Sequence, residues 1–116
     1  MKYKRVFLTG GAGFIGSNLC DRLLREGISV VVYDNLSTGQ LKFLENAKKS
    51  KAFKFVRGDL LDLKSLNRAM KGCDFVFHLA ANADVRFGTD HPDRDIQQNT
   101  FATFNVLEAM RLNKIK

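Results

Sequence analysis

With 116 residues, 45% of them hydrophobic, and a formal net charge of +7, the chain is long enough for one compact domain and too short for two. No apolar run approaches a membrane span, and Met1 to Arg5 lead straight into a strand and not into a signal-peptide core, so a soluble cytoplasmic protein without a membrane partner is expected. The basic residues are scattered over presumed helices and loops without a nucleic-acid fold signature, which excludes nucleic acid as the expected partner; Cys20 and Cys73 have neither metal-ligand spacing nor the density of a disulfide framework.

Lys4 to Leu8 forms the first strand, a continuous apolar run suited to the centre of a parallel sheet. It runs into Thr9 to Ser17, TGGAGFIGS, where Gly11, Gly13 and Gly16 satisfy G-x-G-x-x-G and Gly10, Gly13 and Gly16 satisfy a G-x-x-G-x-x-G spacing. A strand that ends in close-set glycines and opens into a helix turns backbone N–H groups and the positive helix end toward one point, which suits a pyrophosphate. Gly11 to Gly16 also has P-loop spacing, but Ser17-Asn18 stands where that motif needs Lys-Ser or Lys-Thr, so a nucleotide triphosphatase is not expected.

Ile15, Leu19 and Leu23 set out the apolar face of a helix that Gly27 stops. The second strand, Ile28 to Tyr33, ends at Asp34, near the spacing of about 20 residues expected for a carboxylate that takes the ribose hydroxyls of an adenosine. A turn, Asn35 to Gly39, leads to a modest helix near Gln40 to Lys48, and Ala52 to Val56 forms the third strand. After Gly58-Asp59-Leu60-Leu61, Asp62 caps a helix with Leu63, Leu66 and Met70 on its apolar face, closed by Gly72. Asp74 to Leu79 is the fourth strand; Ala80 to Ala83 carry it into a polar loop through Arg86, Gly88 and His91, and Pro92 opens a last helix, Asp93 to Leu112. In that helix Ile96, Thr103, Leu107 and Met110 form one stripe while Phe101 and Phe104 point elsewhere, a second apolar surface that implies a homo-oligomer.

Four strand-helix units with short connections predict an α/β protein: a Rossmann-type parallel sheet, strand order 3-2-1-4, with helices on both faces and the ligand at the carboxyl ends of the strands. Residues 1–116 read as one dinucleotide-binding domain.

TGGAGFIGS, DNLSTG from Asp34, GDLLD from Gly58, HLAA from His78 and NTFATFNVLEAM from Asn99 together resemble the extended short-chain dehydrogenase/reductase family, and within it the NAD-dependent nucleotide-sugar epimerases and dehydratases of the UDP-glucose 4-epimerase kind. The resemblance covers essentially the whole chain. It implies NAD as cofactor, held by Gly10, Gly13 and Gly16 with the N–H groups of Phe14 and Ile15 at the pyrophosphate. Asp34 would hold the adenosine ribose, with Asn35, Ser37, Thr38 and Gly39 closing around it. Asp59 and Leu60 would meet the adenine, Leu79, Ala80 and Ala81 would form the wall beside the cofactor, and Asn99 would face the nicotinamide half. The residues also allow Asp59 and Asp62 as turn and cap residues, and of the two only Asp59 is assigned to ligand. His78 is read as a packed histidine and Cys20 as packing, and no residue set suggests a metal site.

The resembling family places glycine where this chain has Ala102. It also depends on Tyr-x-x-x-Lys, whereas the tyrosines here, Tyr3 and Tyr33, are followed four positions later by Phe7 and Ser37. No catalytic residue is therefore assigned. The chain reads as the N-terminal NAD-binding part of a longer fold, lacking the later strands and the substrate domain, with a UDP-sugar as partner only of the complete enzyme and no turnover expected alone. A stand-alone NAD-binding sensor or interaction module is the alternative.

Overall fold

The computed structural model of the chain describes residues 2–116. Four parallel strands, β1 (Arg5–Thr9), β2 (Ser29–Asp34), β3 (Phe53–Arg57) and β4 (Phe75–His78), lie in the order β3-β2-β1-β4, as expected. Leu8 sits between Val32 and Phe77, and Thr9 between Tyr33 and His78. β1 to β3 each begin and end one residue later than the sequence suggests, because Thr9, Asp34 and Arg57 stay in the ladder although their chemistry reads as loop.

Strand alternation sorts the core into two layers. Val6, Leu8, Val30 and Val32 face α1 (Phe14–Arg25) and meet Cys20 and Leu23, while Phe7, Val31 and Tyr33 face the opposite way, toward Leu66 and Met70 of α2 (Leu63–Met70). The same second layer takes Ala102, Val106 and Ala109 of the last helix. Asp62 caps α2 as expected, its carboxylate accepting from the Ser65 N–H at 3.2 Å and from the Ser65 hydroxyl at 2.8 Å.

The expected face of α1 is turned. Gly16, Cys20 and Leu23 go inward, and Ile15 is 69% exposed. The cause is the start of the helix: Gly16 packs on Gly10 and Gly11, where any side chain would strike the Gly10 carbonyl, and that contact sets the rotation of the turns that follow.

The modest helix expected over Gln40 to Lys48 is instead two short 3-10 turns, Leu41–Leu44 and Ala47–Lys49. Each turn sends one residue into the core, Leu44 from the first and Ala47 from the second. The polar loop expected after Ala83 contains a helix, α3 (Val85–Asp90), because the Asp84 carboxylate accepts from the N–H groups of Arg86 and Phe87 at 3.0 and 3.2 Å.

The single last helix becomes α4 (Pro92–Asp95), a wide π-helical turn (Ile96–Phe101) and α5 (Ala102–Leu112). The Thr103 hydroxyl donates to the Asn99 carbonyl at 2.6 Å, a side-chain bond within the helical ladder of the kind that opens a turn. The wider turn shifts the faces: Ala102, Val106 and Ala109 are buried in place of the expected Thr103 and Leu107, and Phe101, Phe104 and Leu107 are more than half exposed. Asn105 of α5 donates to the carbonyl of Leu60 in the turn before α2, and Asn113, just after α5, donates to the carbonyl of Asn67 in α2.

Candidate dinucleotide site

The glycine turn departs from the end of β1 with Gly10 at φ +70°, where a Cβ would lie 2.7 Å from the Ala80 nitrogen. Gly10 thus brings the turn against the segment that leaves β4. The Gly13 N–H is used inside the turn, donating to the Gly10 carbonyl at 3.2 Å. α1 then starts without any side-chain cap and without an acidic residue in its first turn. Among the described residues, the N–H groups of Phe14, Ile15 and Gly16 meet no protein acceptor, since the first helical bond is Ser17 N–H to the Gly13 carbonyl. Three free donors at the positive end of a helix suit an anion.

Asp34, at the end of β2, faces the same space. The Ala12 N–H donates to its Oδ2 at 3.0 Å and the Leu36 N–H to its Oδ1 at 2.8 Å. Each oxygen keeps acceptor capacity, enough for a pair of neighbouring hydroxyls. The carboxylate also has a structural task, pinning the glycine turn to the turn after β2. Asn35 Oδ1 accepts from the Ser37 N–H at 2.9 Å, and the Gln40 N–H reaches the Ala12 carbonyl at 3.0 Å, so Asn35 to Gln40 strap over the glycine turn.

These pieces bound a cleft of about 400 Å³ at the carboxyl ends of the strands. The structure brings Gly10, Gly13, Phe14, Ile15, Gly16, Asp34, Asn35, Ser37, Thr38, Gly39, Leu60, Leu79, Ala80 and Ala81 to its walls. Asp59 and Asn99 do not line it. The Asp59 carboxylate turns back to the Leu61 N–H at 2.9 Å, the turn role its position also allowed. Asn99 spends its amide on the backbone of Asn82, accepting from its N–H at 2.8 Å and donating to its carbonyl at 3.3 Å.

Tyr33, Gly58, Ala83 and Gln98 line the cleft without having been singled out. Gln98 stands beside Asn99 in the wide turn, and an even helical period misplaces both. Gly58 is legible only once β3 is placed, since it is the Tyr33 ring that a side chain there would strike.

Tyr33 is no substitute for a catalytic phenol. Its hydroxyl donates to the Asp59 carbonyl at 3.0 Å, and burial first, then the charges of Asp62 and Asp59, push its pKa up to about 12. A tyrosine that moves protons needs the opposite shift. Both cysteines are buried and unpaired, and burial pushes the Cys20 thiol up to about 12, which makes it inert.

Gly13 supplies the test of whether a dinucleotide fits. A Cβ there would meet only the Gly10 carbonyl, 3.4 Å away, so the protein's own packing leaves this position open. The open space lies beside the three free N–H groups and inside the cleft. A parallel 3-2-1-4 sheet with a glycine turn after β1 and a carboxylate at the end of β2 defines a Rossmann-type dinucleotide-binding protein.

Comparison with known proteins narrows the class. The chain belongs to the NAD dependent epimerase/dehydratase family, whose model matches residues 6–116. It is 41% identical to UDP-glucose 4-epimerase of Mycolicibacterium smegmatis over 97% of this chain and 36% of that protein. Among solved structures, UDP-N-acetylglucosamine 4-epimerase of Methanobrevibacter ruminantium, in complex with UDP-N-acetylmuramic acid, superposes with a TM-score of 0.89 at 39% identity, over 100% of this chain and 36% of that one. UDP-glucose 4-epimerase of Thermus thermophilus, in complex with NAD, gives 0.86 at 38% identity over 97% of this chain and 35% of that one. The chain therefore spans about a third of the length of these relatives, and it matches their N-terminal, NAD-binding part. No helix among the described residues is long and apolar enough to cross a membrane.

Proposed function

We propose that residues 1–116 form one NAD-binding unit that serves a nucleotide-sugar epimerase or dehydratase. The observation that carries this reading is the meeting, in one cleft, of three free N–H groups at the start of α1, the open space at Gly13 and the Asp34 carboxylate. The pyrophosphate would lie against Phe14, Ile15 and Gly16, and the adenosine ribose against Asp34 under the strap from Asn35 to Gly39. Leu60 would flank the adenine, and Leu79 to Ala81 would wall the far half. Bound NAD supplies a reversible hydride acceptor. The residues present would orient it and shield it, and they hold no Tyr-x-x-x-Lys to move the accompanying proton. A UDP-sugar is accordingly a substrate of the complete enzyme, and the purified chain is expected to show no turnover on UDP-sugars.

NAD is expected to bind in preference to NADP. A 2′-phosphate would set its charge against Asp34, and no arginine stands in Asn35-Leu36-Ser37 to offset it. Arg57 is in register with Asp34 on β3 but is exposed and outside the cleft walls. Calorimetry with both cofactors decides the assignment: equal or tighter binding of NADP refutes it. Asp34→Asn is the better probe than Asp34→Ala, because it removes the charge while keeping an acceptor for one of the two backbone N–H groups, those of Ala12 and Leu36, that Asp34 holds.

The same reading includes self-association and a cytoplasmic setting. Phe101, Phe104 and Leu107 form an exposed apolar strip on the outer side of the last helix, and β4 leaves one edge of the sheet unpaired. Two buried, unpaired thiols suit a reducing compartment.

A further inference from the structure

The wall formed by Leu79, Ala80 and Ala81 is held at both ends, and the two holds meet at a half-buried imidazole. At one end the Thr9 hydroxyl accepts from the N–H groups of Leu79 and Ala80 at 3.2 and 3.3 Å. At the other, Asn99 grips the backbone of Asn82. His78 stands between them, its Nδ1 2.7 Å from the Thr9 hydroxyl and its Nε2 3.1 Å from the Thr103 hydroxyl, which donates to the Asn99 carbonyl.

Donor and acceptor counting sets the direction of every bond. The Asn99 carbonyl can only accept, so Thr103 gives its hydrogen there and must receive the Nε2 hydrogen of His78. In the neutral ring this leaves Nδ1 to accept from the Thr9 hydroxyl, whose oxygen accepts from the Ala80 N–H and shares the Leu79 N–H with the Thr9 carbonyl at 3.2 Å. Each donor in the series polarises the next. A charged imidazole would bring a second hydrogen up against the Thr9 hydroxyl, and burial, with no neighbouring charge as a cause, holds the His78 pKa below its ordinary value.

We infer that His78, neutral and protonated on Nε2, is a positioning residue that couples the Thr9 hold to the Asn99 hold and so keeps the cleft wall in place for the half of the dinucleotide that lies away from Asp34. This rests on the NAD reading above. Asp34 and Leu79 follow strands on opposite sides of β1, which places their ends roughly 10 Å apart at the usual strand spacing. One mononucleotide half can therefore occupy the Asp34 side without touching the coupled wall. A side chain that merely filled space would leave the Thr9 and Thr103 hydroxyls without these partners.

The test uses Thr103→Val, which keeps shape and removes both the acceptor for Nε2 and the donor to the Asn99 carbonyl, and Thr103→Ser, which restores both. Nitrogen-detected NMR is expected to show His78 as the Nε2–H tautomer at neutral pH, and the Ala80 and Asn82 amides are expected to exchange faster in Thr103→Val. By calorimetry Thr103→Val should weaken NAD about tenfold, the scale of one buried partner lost, with AMP unchanged and Thr103→Ser near wild type. An Nδ1–H tautomer, unchanged NAD affinity in Thr103→Val, or an equal loss for NAD and AMP would overturn the inference. If the wild-type chain bound neither ligand, the NAD reading would fall, and the tautomer and amide exchange would still decide the coupling: unchanged exchange refutes it.

Discussion

Replacing Gly13 by alanine separates ligand binding from packing. Its Cβ would meet only the Gly10 carbonyl at 3.4 Å, so stability should fall by about 1 kcal/mol or less, the cost of a poorer helix cap. NAD affinity should fall at least tenfold, because the methyl group enters the space beside the free N–H groups. Thermal melting and calorimetry on one preparation check both halves. Gly16→Ala should instead damage the fold itself, since the Gly10 carbonyl already occupies that space. His78 gives a pH prediction of definite sign. Its folded pKa lies below the ordinary 6.5, so at mildly acidic pH the unfolded chain binds the proton more readily than the folded one. Its contribution to stability is complete above about 6.5 and is lost as pH falls from there toward the folded pKa. Urea midpoints measured from pH 7.5 downward should fall more steeply for the wild type than for His78→Phe, and parallel curves would contradict the assignment. Asp62 acts in the same direction lower down: the Ser65 N–H and hydroxyl hold its carboxyl below 3.8, so α2 keeps its cap until the pH drops through that region.

The elements differ in what holds them. α2 is short, but Leu66 and Met70 are fully buried, and Leu66→Ala should cost about 2–5 kcal/mol in a denaturant titration. α3 buries only Gly88 and depends on the Asp84 cap. Asp84→Ala should therefore leave the global midpoint nearly unchanged while amide exchange at Arg86 and Phe87 rises sharply. A large global loss would show that α3 is joined to the core more firmly than its burial indicates. The π turn follows from two side chains, Asn99 on the Asn82 backbone and Thr103 on the Asn99 carbonyl, and neither bond is a matter of helix propensity.

At the scale of the whole molecule, the sheet shows its β4 edge and the last helix shows Phe101, Phe104 and Leu107. Self-association is expected in light scattering across a concentration series. Phe104→Ser, 62% exposed in the monomer, should weaken it while scarcely altering monomer stability. A wild-type chain that stays monomeric at high concentration sinks this proposal.

Much of this molecule is local in origin and was legible in the residue order. The apolar runs at Val6 to Leu8 and Val30 to Val32, the glycines between them and Asp34 after them are enough to set out a parallel dinucleotide fold, because each depends on neighbours in sequence or on the fixed handedness of strand-helix-strand crossovers. The cap at Asp62 was legible for the same reason. Rotation and register were not. The contact of Gly16 with Gly10 turned Ile15 out toward the cleft, and the Asn99 grip on Asn82, seventeen residues back in the chain, together with the Thr103 hydroxyl on the Asn99 carbonyl, opened the last helix and brought Gln98 to the cleft wall in place of Asn99. Such choices are made by close packing and side-chain hydrogen bonds, one of them reaching seventeen residues along the chain, which helical periodicity does not encode.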